Sequence, residues 1–193
     1  RTSGPDGRMR CGYNIVGTDT GRVACHESNA GYGYNLQTVT KRHRCLFLAD
    51  EDHIFGEFDL SGADSWTVAA RCAQLGDPTM LDDILYGLKP AKIIALMYKE
   101  GAIVSTYTRT QLKEMSKAVR ADDGWLYFAC KRILHGTDYV MKADKLSDQL
   151  LKDSYKLSGI PVVVPPTICA KIQSLMLMRY RGVTRWQQWC NNE

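Results

Sequence analysis

IFGEFDLSGADSWTVAARCAQLG, residues 54–76, changes its period halfway. Up to Leu60 the apolar and aromatic residues lie close together, as in a short strand. From Ala63 onward, Val68, Ala69, Cys72 and Leu75 recur at three- and four-residue steps, which puts them on one stripe of a helix. Gly76 supplies a C-terminal stop. Asp59 stands at the join, and Asp64 lies in the first turns of the new helix. Position alone allows two readings of Asp59. Either it or Ser61 caps the helix, with a side-chain oxygen accepting from a first-turn N–H. Alternatively, its carboxylate projects from the sheet edge toward a ligand such as Mg²⁺, which takes one or two protein carboxylates and fills its shell with phosphate and water.

On the N-terminal side, residues 8–24 predict two strands around a Gly17–Gly21 turn, since β-branched and aromatic residues flank it. Residues 27–35, rich in Gly, Asn and Ser, predict a loop. Residues 45–49 and 54–60 predict two further short strands, separated by the acidic turn 50–53. On the C-terminal side the helical period persists. Asp77-Pro78 opens a second helix that ends at Gly87, and residues 90–99, 107–121, 125–135, 142–157 and 166–180 give further helices. Strands first and helices after define an α+β fold, with a small antiparallel sheet and a mostly helical remainder. The change from strand-bearing to purely helical chain is expected near residues 76–90.

The 193 residues are 45% hydrophobic and 24% charged, enough for a packed core. No apolar run approaches the roughly 20 residues that span a bilayer; the longest, Ile160 to Val164, is strand-sized. The first residues lack the apolar middle of a signal peptide and a starting Met, so the chain reads as cut from something longer. Seven Cys without C-x-x-C spacing, and four His, do not make a zinc set or an even disulfide framework. They read as buried or neutral thiols of a reducing cytosol. A net charge of +4 is mildly basic. The basic clusters at 41–44, at Lys131-Arg132 and at Arg179, Arg181 and Arg185 are solvated faces or polyanion contacts.

Three patterns carry chemistry. Lys131, His135 and Tyr139 step by four and share one helix face. That face offers a cation for phosphate and flat rings for stacking on a base. The plainer reading is an amphipathic helix end with Gly136 as its cap. Arg22, just after the hairpin turn, and the amides Asn35 and Gln37 could read the nearly sequence-independent acceptors of a minor groove, or could serve turn chemistry. Asp50 to His53 lack ligand spacing and read as a solvated turn. There is no G-x-G-x-x-G loop.

Taken in order, these pieces resemble family A DNA polymerases, especially phage members. That family shows a T-G-R turn, then N-L-Q, then D-x-S, then K-x(7)-Y on a helix. Here stand Thr20-Gly21-Arg22, Asn35-Leu36-Gln37, Asp59-Leu60-Ser61 and Lys131 to Tyr139, followed by Tyr180-Arg181-Gly182-Val183 and Trp186, similar to the family's Y-P-G-V segment. The resemblance implies a partial palm over 1–76 with the first metal-binding motif. Fingers with the nucleotide-binding helix would follow over 77–160, and a helical segment returning towards the palm over 161–193. It implies two Mg²⁺ ions, with Asp59 and the Leu60 carbonyl as ligands, that activate a primer 3′-hydroxyl and stabilise leaving pyrophosphate. Asp64 would sit by the sugar and disfavour ribonucleotides. Lys131 and Lys89 would bind the triphosphate, His135 would lie over the incoming dNTP, and Tyr139 would stack near the templating base. Arg22, Asn35 and Gln37 would touch primer-template DNA.

The departures from the family pattern are specific. Gly62 and Trp66 replace the usual Gln and Arg, Asp64 is a methylene shorter than Glu, Val140 stands where Gly is usual, and Tyr127 replaces a second cation. The family's H-D-E motif, which holds the second metal-binding Asp, does not occur in these 193 residues. The expectation is a fragment or one half of a split polymerase, completed by a second polypeptide or missing segment, in the cytoplasm of a phage-infected bacterium. Alone it would polymerise poorly. The alternatives are a non-catalytic primer-template or nucleotide-binding remnant of the fold, and a helical protein-interaction domain.

Overall fold

The computed structural model describes residues 3–17, 23–28, 30–58, 60–122 and 124–192. The chain divides into two compact units, Arg1–Asp59 and Leu60–Glu193. The change to helical chain therefore falls earlier than the expected 76–90. The helix over 63–74 packs with later helices.

In the first unit the expected strand pair forms as a short ribbon. Strand β1, Gly12–Asn14, runs antiparallel to β2, Ala24–His26, with Tyr13 opposite Cys25. Residues 18–22 of the expected turn, Arg22 included, lie outside the described residues. Cys25 is buried, and its Sγ accepts from the Leu36 N–H at 3.3 Å. The strands expected at 45–49 and 54–60 do not form. Lys41–Leu46 winds into a 3₁₀ helix, and residues 47–58 carry no regular secondary structure. A strand exists only when a partner pairs its backbone groups. Among the described residues β1 and β2 pair only with each other. The apolar alternation is left facing water, with Leu48, Ile54 and Phe58 between 85% and 98% exposed. The acidic turn is a turn, as expected: the His53 N–H reaches the Asp50 carbonyl at 3.0 Å, and Arg8 holds the Asp50 carboxylate with two 2.9 Å bonds.

The second unit is helical throughout. Its elements are α1 (Ala63–Gln74), α2 (Thr79–Leu85), α3 (Pro90–Glu100), α4 (Arg109–Asp122), α5 (Gly124–Asp138), α6 (Ala143–Ser158), α7 (Pro166–Arg179) and α8 (Gly182–Asn192). The periodic segments become helices nearly where expected; α8 adds one that the periodicity did not separate. Helix α3 is apolar nearly all round, with Ile93, Ile94, Ala95, Leu96 and Met97 buried, so it forms the centre on which α4, α5 and α7 pack. Such a helix needs neighbours on every side, and that requirement sets the layout of the unit.

Two carboxylates, half-buried Asp77 and fully buried Asp83, tie these helices together. Asp77 caps α2, accepting from the Thr79 N–H at 3.1 Å, and its other oxygen accepts from the Gly182 N–H at 2.6 Å, which ties the start of α8 to the start of α2. Asp83 is fully buried and accepts from Arg109 Nε at 3.1 Å, Arg179 Nη2 at 2.7 Å and the Tyr180 hydroxyl at 3.1 Å. Arg179 thus leaves the expected basic surface cluster and belongs to the core. Arg185 is also engaged, donating to the Leu75 carbonyl at 2.8 Å. An ion pair this deep is held by the completeness of its hydrogen bonds.

Candidate functional site

Helix α5 runs through His135 to Asp138, so Lys131 and His135 do share a face. Gly136 does not cap it. The residue lies inside the helix, where a Cβ would come within 2.5 Å of Leu146 Cδ2, so a larger residue would have to push that α6 side chain aside. The helix ends further on, in a Schellman motif: the Met141 N–H bonds the Gly136 carbonyl at 2.9 Å and the Val140 N–H bonds Thr137 at 3.0 Å. Val140 takes the left-handed position, with φ of 59°. A β-branched residue is strained there, and Gly would not be. Val140 is the position at which the resembled family carries Gly.

The inward face of α5 meets the N-termini of α1 and α3 around a cleft of about 470 Å³. Asp64, Lys89, Lys131, Arg132 and His135 line it, together with Trp66. Four residues assigned to a dNTP on resemblance, Asp64, Lys89, Lys131 and His135, are therefore brought to one place. The His135 Nδ1 lies 3.6 Å from Asp64 Oδ2. Tyr139 sits just past the helix, its ring edge-on to His135 with centroids 5.1 Å apart at 73°. It adjoins the cleft through His135 and is itself exposed.

The electrostatics of the cleft favour an anion. Helix α1 starts at Gly62 (φ 72°) and α3 at Lys89, and neither N-cap side chain bonds the first turn. The uncapped first-turn N–H groups of α1 and the positive ends of both helix dipoles are receptive to negative charge; at α3, Pro90 has no N–H and the Lys92 N–H is taken by the Lys89 carbonyl at 2.8 Å, so that start contributes chiefly its dipole. Lys89 and Lys131 add mobile cations, and Arg132 is steadied by Asp153 at 3.4 Å. Among the described residues, Asp64 is the one carboxylate lining this cleft. Trp66 and Tyr127 bring flat apolar surface, which suits a base or sugar better than inorganic phosphate alone.

The remaining expected residues fall elsewhere. Asp59 lies outside the described residues, as does Arg22. Leu60 is described and exposed, next to the cleft-lining Ser61. Asn35 and Gln37 belong to the other compact unit, and local structure uses both. Asn35 Oδ1 caps a short 3₁₀ turn by accepting from the Gln37 N–H at 3.0 Å, and Gln37 Nε2 donates to the Val23 carbonyl at 3.2 Å. Among the described residues no three His, Cys, Asp or Glu side chains converge as a metal site.

Reading the sequence missed Asp138. It is 4% exposed, and neither carboxyl oxygen has a hydrogen-bond partner among the described residues. Burial, and then the charge of Asp64, push its pKa up to about 8. The signal was present in the spacing: Asp138 is seven residues after Lys131 and three after His135, hence on the same stripe. Cys72 and Cys130 are buried thiols pushed up to about 12 by burial, which keeps them neutral. No protein family, curated protein or solved structure matches the chain.

Proposed function

We propose that this chain is the nucleotide-binding portion of a template-directed DNA polymerase of the family A kind, with fingers and part of a palm. The observation that carries the reading is the cleft. Asp64, Lys89, Lys131 and His135 come from three separate helix segments, and the family resemblance assigns each of them to the incoming dNTP. Lys131 and Lys89 hold the triphosphate, aided by the helix starts. His135 covers the base or sugar, and Asp64, held against His135, limits room at the sugar 2′ position. Tyr139 buttresses His135 and stacks near the templating base. Arg22, Asn35 and Gln37 contact primer-template DNA.

Mg²⁺ would be held by Asp59 and the Leu60 carbonyl, and would supply charge neutralisation at the triphosphate and activation of the primer 3′-hydroxyl. The second carboxylate comes from a partner polypeptide or a further segment of the enzyme. The exposed apolar residues Leu46, Leu48, Ile54, Phe55 and Phe58, with their unpaired strand pattern, are the natural place for that addition. The activity belongs in the cytoplasm of a phage-infected bacterium, and the chain alone extends a primer poorly.

Calorimetric titration with magnesium dATP tests the reading. Wild type binds, and Lys131→Ala weakens binding by about tenfold or more, as expected when a charge-assisted phosphate contact of roughly 1.5–3 kcal/mol is removed. Equal affinity in the two proteins removes Lys131 from the site. Binding of primer-template DNA that ignores salt favours an interaction domain instead, since phosphate contacts release counterions.

A further inference from the structure

Beneath the cleft, one stripe of α5 carries Lys131, His135 and Asp138 at steps of four and three. The facing stripe of α1 carries Asp64, Val68 and Cys72 at steps of four. Asp138 therefore lies one turn below the His135–Asp64 pair, in the seam between the two helices. Among the described residues its carboxylate finds no donor. From α1 it feels the charge of Asp64 and lies near Cys72, a thiol that burial keeps neutral. On its own helix, Thr137 turns its hydroxyl to the Ile133 carbonyl at 2.6 Å. The amides that α7 and α8 contribute are spent on Thr137: Gln173 Nε2 donates to its hydroxyl at 3.1 Å, and Gln187 Nε2 to its carbonyl at 2.5 Å. From α6, Asp153 pairs with Arg132, away from the seam. Helix α3 buries apolar residues such as Ile93, and α4 buries Leu112 and Val119 together with Ser116, whose hydroxyl donates to the Lys113 carbonyl at 3.0 Å and whose carbonyl accepts from Lys92 Nζ at 2.7 Å.

A carboxylate sealed in this way and left without hydrogen bonds is costly, and the cost falls away when the group is neutral. We propose that Asp138 is a positioning residue for the cleft: it carries a proton while the α1–α5 seam is closed, and losing that proton parts the seam and disperses the Asp64, Lys131 and His135 face. This inference rests on the reading of the cleft as a triphosphate site. It adds that triphosphate binding is proton-linked through a group that does not touch the ligand. The burial-raised pKa of Asp138, about 8, puts the transition just above neutrality.

The test is calorimetric binding of magnesium dATP between pH 7 and 9.5 to wild type and Asp138→Asn, with native-state hydrogen exchange of α1 and α5 amides over the same range. Asn keeps the shape and removes the charge. Affinity of wild type falls as pH rises through the transition, by up to about tenfold per pH unit for one linked proton. Asp138→Asn holds its affinity across the range. Parallel pH profiles in the two proteins overturn the proposal. If wild type binds no dATP at any pH, the triphosphate reading fails by itself, and hydrogen exchange still decides the seam. Wild-type protection that drops above about pH 8 while Asp138→Asn protection does not supports the proposal. Equal protection overturns it.

Discussion

The proton proposed for Asp138 in the folded protein gives that residue an effect on stability opposite in sign to that of an ordinary paired carboxylate. Its folded pKa, about 8, is above the unfolded value near 3.9. Its contribution is therefore present in full below about pH 4 and is lost progressively as pH rises through about 8. Urea unfolding should show stability falling with pH across that window, by up to about 1.4 kcal/mol per pH unit from this one group. Asp138→Asn should remove the slope and be more stable than wild type at pH 8 to 9, and an unchanged slope would assign it to other groups. Asp77 works in the other direction: despite the burial that opposes it, the bonds from Thr79 and Gly182 hold its pKa down, so its contribution is lost as pH falls. Both carboxylates look alike in the sequence. What separates them is whether N–H groups from distant residues arrive, and spacing within one helix does not record that. Arg179 teaches the same lesson, since its neighbours in sequence mark a basic surface and Asp83 takes it into the core.

At the scale of elements, the helices were legible and the strands were only half so. A helix satisfies its own backbone, so the stripe Val68, Ala69, Cys72 and its glycine stop suffice to place α1. A strand needs a partner, and the alternation at 45–49 and 54–60 does not say whether one exists. The ribbon of β1 and β2 formed because a short connection closes it. Lys131 and His135 were readable from their four-residue step. Asp64 and Lys89 entered only through the resemblance, because cleft residues on other helices share no period with α5. The end of α5 supplies an element-scale prediction. Val140 holds a left-handed conformation that suits Gly, in a Schellman motif whose hydrogen bonds are otherwise complete. Val140→Gly should relieve that strain and raise the unfolding free energy by about 1 kcal/mol, less the entropy Gly adds to the unfolded chain. A loss of more than about 1 kcal/mol in thermal unfolding would show that the Val side chain stabilises the turn by packing.

At the scale of the molecule, two compact units carry different parts of the proposed activity. The helical unit holds the cleft, complete with cations, helix starts and aromatic walls. The N-terminal unit holds Asn35 and Gln37 and the exposed apolar residues Leu46, Leu48, Ile54, Phe55 and Phe58, which join no ladder among the described residues. On the proposed reading, the nucleotide site lies in the helical unit and further polypeptide completes the palm. The central claim, that the α1–α3–α5 cleft receives a deoxynucleoside triphosphate, is tested most directly by mapping amide chemical shifts of the ¹⁵N-labelled chain during titration with magnesium dATP. The account predicts saturable shifts concentrated at Asp64, Lys89, Lys131 and His135, and their loss in Lys131→Ala. Saturable shifts that spare these four residues would contradict it.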